Sequence, residues 1–97
     1  MSIFVLTKAM RVALPPAQKL VLLALADCCT ETGEAWPKLS RLADATGYPL
    51  ADVRQALRDM EDRRLVTITK RPSARPTNLY RINLALLDEM AAARRSA

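Results

Sequence analysis

The 97 residues contain no histidine. The commonest general base and the commonest metal ligand are both missing. Cysteine is confined to Cys28 and Cys29, which are adjacent, whereas a disulfide framework needs separated residues. A metal site there would have to recruit Asp27 or Glu31, and two small apolar residues near a helix end is the simpler reading. There is also no glycine-rich phosphate loop and no clustered acid pair, so no catalytic constellation emerges. Catalytic residues, metal ligands and cofactors are all expected to be absent. Aromatic residues make up only 4% of the chain, which leaves the core to Leu, Val, Ile, Ala and Met. No apolar run reaches the ~18 residues of a membrane span. The opening residues lack the charged start of a signal peptide. The expectation is a cytoplasmic, nucleoid-associated protein without a membrane partner.

What is present is an ordinary globular composition, 51% hydrophobic and 26% charged. The net charge of +5 is unevenly spread. Residues 1–48 carry five basic and four acidic groups, and residues 49–97 carry ten and six. No acid occurs between Asp62 and Asp88, a window that holds Arg63, Arg64, Lys70, Arg71, Arg75 and Arg81. Such a block suits a polyanionic partner, although a solvated surface with surplus arginine has the same composition.

Hydrophobic periodicity divides the chain. Residues 2–13 are apolar, and their period fits a strand or a helix equally. Pro15 and Pro16 suit the first turn of a helix, which then runs to about Cys29 or Thr30 with a line of Leu20, Leu23, Ala24 and Asp27 flanked by Val21 and Leu25. Thr32-Gly33-Glu34 reads as a turn, and Trp36 as a core anchor. A short helix follows Pro37, with Leu39, Leu42 and Ala43 inward and Gly47 as its left-handed stop. Tyr48 and Pro49 open a third helix. Its buried stripe is Val53, Ala56, Leu57 and Met60, at i, i+3, i+4 and i+7. Two short helices joined by a tight glycine-containing turn form a helix-turn-helix. Residues 65–69 and 79–84 then read as strands, joined by a proline-containing loop with Lys70, Arg71 and Arg75. Residues 85–95 read as a last helix.

This order predicts an α+β, mainly α, winged helix-turn-helix: a three-helix core, a two-stranded hairpin wing and extra terminal helices. Residues 15–84 form the domain. Residues 1–14 are a candidate dimer contact and residues 85–97 a C-terminal helix and tail. The stretch from Gln18 to Val66 also resembles a helix-turn-helix family common in phage and plasmid replication initiators and small phage regulators. The matching residues are Leu20 to Ala26, Trp36-Pro37, Leu42-Ala43, Thr46-Gly47, Val53, Leu57, Met60 and Leu65. The resemblance implies a small transcriptional regulator acting as a homodimer on double-stranded DNA. Its alternatives are a replication-initiation accessory module and a winged-helix module that docks a protein partner without DNA.

The third helix is the expected reading element, because the major groove admits a helix. Its first turn departs from the family, with Leu50, Ala51 and Asp52 where polar or basic residues are usual. Leu50 and Ala51 can meet thymine methyls or a protein, and Asp52 can accept from cytosine N4. Arg54, Gln55 and Arg58 lie on the face away from the stripe. Arginine can bond guanine and glutamine adenine in bidentate fashion. The competing arrangement pairs Arg54 and Arg58 with Asp59 or Asp62 as solvated helix contacts. Lys70, Arg71 and Arg75 at the hairpin tip, and Arg41 on the second helix, are candidates for the phosphate backbone.

Overall fold

A computed structural model describes residues 2–71 and 76–96. The ambiguous N-terminal segment is a helix, α1 (Ile3–Met10), started by the Ser2 hydroxyl, which accepts from the Val5 N–H at 3.2 Å. Next come α2 (Pro16–Asp27), β1 (Glu34–Ala35), α3 (Leu39–Thr46), α4 (Leu50–Asp62), β2 (Val66–Thr69), β3 (Leu79–Ile82) and α5 (Leu84–Ser96). Helix α2 packs against α1, α3 and α4, and α1 also lies on α5. One core runs through all of them, from Val5 and Ala9 to Leu87.

The α4 stripe of Val53, Ala56, Leu57 and Met60 is buried as its spacing predicts. The line expected on α2 is not the buried one. Val21, Leu22, Leu25 and Ala26 face the core, while Leu20 is 40% exposed. A helix apolar on nearly every side carries no contrast from which to choose a face. Trp36 is likewise half-buried rather than a core anchor, because its neighbours Ala35 and Pro37 take the inward positions.

The sheet has one strand more than the hairpin. It is antiparallel in the order β1-β3-β2. Ala35, Val66, Tyr80 and Ile82 turn to the core. On the outer face Glu34 stands opposite Arg81 and bonds it at 2.8 Å. That bond, helped by the Thr32 hydroxyl, holds the Glu34 carboxyl below the usual glutamate range. Gly33 makes the turn into β1 with φ +88°, and a Cβ there would stand 3.0 Å from the Ile82 carbonyl oxygen. Gly47 closes α3 in the left-handed region, as expected, with φ +78°.

Helix α4 ends in a Schellman motif whose left-handed residue is Arg64, at φ 63°. The Leu65 N–H bonds the Met60 carbonyl at 2.9 Å and the Arg64 N–H bonds that of Glu61 at 3.0 Å. Leu65 and Met60, both fully buried, supply the apolar contact that goes with this motif. A side chain in that region costs about 1–2 kcal/mol, partly offset by the extra freedom glycine has when unfolded. Arg64→Gly should therefore stabilise the fold by about 0.5–1 kcal/mol and raise the thermal midpoint by roughly 3–6 °C, measured by circular dichroism.

The ammonium of Lys19 closes the other end of the core. It donates to the carbonyls of Ala9 at 2.9 Å and Met10 at 2.7 Å, and to that of Val12. Ala9 and Met10 end α1, where carbonyls run out of i+4 partners and cations are favoured, and Val12 follows just past the cap. Burial, with Arg94 nearby, lowers the Lys19 pKa from the ordinary lysine value. Lys19→Met keeps the stem and removes the donors. It should cost about 1.5–3 kcal/mol in urea unfolding, the range for hydrogen bonds to a charged group.

Candidate nucleic-acid interface

Helix α4 is exposed along the side opposite its stripe, and the spacing sorts that side into three strips. Gln55 and Arg58 run along the middle with Ala51. Arg54 and Glu61 turn toward the sheet, where they line a groove of about 380 Å³ with Arg58, Lys70, Asn78 and Tyr80 over a floor of Leu39, Leu57 and Ile68. Asp52 and Asp59 turn the other way, into a shallower groove against Pro15, Gln18 and Tyr48. The helix thus turns its arginines toward the wing, with Glu61 among them, and Asp52 and Asp59 toward α2.

The cationic surface continues past Tyr80. A cleft of about 240 Å³ between the start of α3 and the wing is lined by Lys38, Arg71, Thr77 and Asn78. It adjoins another lined by Trp36, Lys38, Arg41 and Thr77. The wing is tied to this seam by the Thr77 hydroxyl, which donates to the Trp36 carbonyl at 2.9 Å. Asn78 Oδ1 accepts from the Arg71 N–H at 3.2 Å. Tyr80 lines both grooves, and burial pushes its phenol up in pKa, partly countered by a hydrogen bond with Asn78.

Two ion pairs form among the described residues, Lys8–Asp88 and Arg81–Glu34. None of Arg41, Arg54, Arg58, Lys70 and Arg71 is in an ion pair among those residues. The expected alternative, Arg54 and Arg58 neutralised by Asp59 or Asp62, is not what forms. Arg58 instead bonds Gln55 Oε1 at 3.1 Å, and Gln55 bonds Asp59 Oδ1 at 2.8 Å.

Of the residues singled out in the sequence, Arg54, Arg58 and Lys70 come together in one groove. Arg41 and Arg71 line the adjoining clefts. Leu50 and Ala51 are exposed in the first turn of α4, and Asp52 faces α2. Arg75 lies outside the described residues. Lys38, Thr77 and Asn78 join the surface without having been expected as site residues. Lys38 had one signal, a basic residue next to Pro37 at the start of a helix. Thr77 and Asn78 had none, since their partners are distant or across the hairpin. Cys28 and Cys29 are free thiols whose pKa values burial raises. Among the described residues no group of three or more metal-ligating side chains gathers, and no helix is long and apolar enough to cross a membrane.

A helix-turn-helix whose second helix is exposed, flanked by a small antiparallel sheet with a cationic groove between them, defines a winged helix-turn-helix protein. The class is one whose members present that helix to duplex DNA. The chain belongs to the helix-turn-helix domain family, whose model matches residues 13–66, from the link after α1 to the first residue of β2. No curated protein and no solved structure gives a significant match.

Proposed function

We propose that this protein binds double-stranded DNA in a sequence-dependent way, as a small phage-type transcriptional regulator that acts as a homodimer. The observation that carries the DNA reading is the run of cations from Arg54 and Arg58 through Lys70 to Lys38, Arg41 and Arg71 along adjoining grooves, none of them in an ion pair among the described residues and with Glu61 the one carboxylate in those linings. Keeping so many like charges together disfavours the compact state, and a polyanion removes that cost. In this reading α4 enters the major groove. Arg54 and Arg58 meet base edges with Gln55 between them, Ala51 and Leu50 meet thymine methyls, and Asp52 stays at the rim. Arg41, Lys70, Arg71 and Arg75 hold phosphates.

Fluorescence polarisation against random duplex at low salt tests this directly. Four basic groups on phosphates give a log–log salt slope of about −4, from roughly −0.9 per phosphate. Arg71→Ala should weaken binding to all sequences about equally and flatten the slope by roughly one. Arg54→Ala and Arg58→Ala should lower affinity and also relax sequence preference. Absence of binding to any duplex at low salt would end the proposal.

The homodimer rests on α1. Ile3, Phe4 and Met10 are 72%, 60% and 57% exposed, the three most exposed large apolar residues among those described. Together they leave an apolar area of about 300–400 Å², in the range of surface patches that are often functional and nearly half of the ~800 Å² per partner of a standard interface. The main neighbours of α1 are α2 and α5, so a second copy on this side leaves α4 and the wing open to DNA. Light scattering should report a dimer. Ile3→Glu combined with Phe4→Glu should give a folded monomer that binds a two-half-site duplex at least tenfold more weakly and a single half-site unchanged. A wild-type monomer at micromolar concentration would overturn the dimer alone.

A further inference from the structure

We propose that Asp59 is a positioning residue for guanine recognition by Arg58, acting through Gln55; this rests on the DNA-binding reading and adds a base preference to it. The three side chains form a relay along α4. Asp59 Oδ1 accepts from Gln55 Nε2 at 2.8 Å, and Gln55 Oε1 accepts from Arg58 Nη2 at 3.1 Å. Gln55 and Arg58 are exposed, whereas Asp59 is half-buried against α2 and is the fixed end of the relay.

The order of donors gives each residue its role. A carboxylate only accepts, so Asp59 selects the amide orientation of Gln55 in which the NH₂ faces it. The carbonyl end of that amide then faces Arg58 and takes one of its five N–H groups. One two-hydrogen edge of the guanidinium remains open. That edge matches O6 and N7 of guanine, whereas adenine offers a donor where guanine offers O6. Gln55 would read adenine by donating to N7 while accepting from N6. With its acceptor engaged by Arg58 and one amide hydrogen by Asp59, it braces the arginine instead. Arg54 has no such brace among the described residues and faces the groove with Lys70.

The test uses the whole chain. A duplex obtained by selection from a random library is varied one base pair at a time, and affinities are compared with those for random duplex. Wild type should prefer guanine over adenine at one position per half-site by about tenfold or more. Asp59→Ala and Gln55→Ala should each bring that preference to within about twofold, and Asp59→Ala should bind random duplex as well as wild type or better, since a negative charge has gone. Asp59→Asn retains an acceptor and should keep the preference. A purely structural role for Asp59 would instead lower random-duplex binding in step with the loss of preference. Undiminished guanine preference in Asp59→Ala, or an adenine preference that disappears with Gln55→Ala, overturns the relay and leaves the DNA-binding reading standing. Failure of wild type to bind random duplex removes that reading itself.

Discussion

Between Pro16 and Ala26 helix α2 bears one charge, Lys19, so nearly its whole circumference has to be taken out of water. Helices α1, α3 and α4 pack around it, and its fully buried Val21, Leu22 and Leu25 contribute about 1.5–3 kcal/mol each. The one charge is not wasted on solvent. Lys19 lays its stem along the seam and delivers its ammonium to the carbonyls at the end of α1. That contact fixes α1 against α2 by polar geometry, as the Lys8–Asp88 pair does for α1 against α5.

With the interior settled around α2, α4 is free to spend its outer side on charge. Its buried stripe uses four positions; outside it, Arg54 and Arg58 line one groove together with Glu61, and a strip with Asp52 and Asp59 lines the other. The sheet sets which strip lies beside the wing. The register that pairs Ile68 with Tyr80 brings Lys70 to the mouth of the groove beside Arg54 and Arg58. The Schellman turn at Arg64 and Leu65 makes the change of direction between α4 and β2, and the Asn83 amide secures it by donating to the Arg64 carbonyl at 3.1 Å. A polar residue at the end of β3 thereby holds the angle at which wing and helix meet.

The legibility of these features in the sequence follows contrast and range. The faces of α3 and α4 could be read because polar and apolar residues alternate sharply there, and the stop at Gly47 because few residues tolerate its conformation. The face of α2 could not, for want of polar residues to mark the outside. β1 escaped because two residues next to a glycine turn carry no period, and its partners lie some 45 positions along the chain. The Lys19 cap and the Thr77 tie are long-range contacts without a local pattern. Arg54, Arg58 and Lys70 were legible as basic residues on exposed faces, but their convergence depends on how the hairpin folds back. The i, i+4 spacing of Gln55 and Asp59 was visible all along; that it outcompetes an arginine–aspartate pair is decided by side-chain geometry.

Trp36 is the only tryptophan in the chain. It is half-buried at the seam between α3 and the wing, and its own carbonyl anchors Thr77. Its ultraviolet emission therefore comes from a single address. Any event that wedges the wing away from α3, or fills the cleft beside Lys38 and Arg41, changes the polarity around that one indole. The protein carries an internal optical gauge of its hinge, requiring no attached dye.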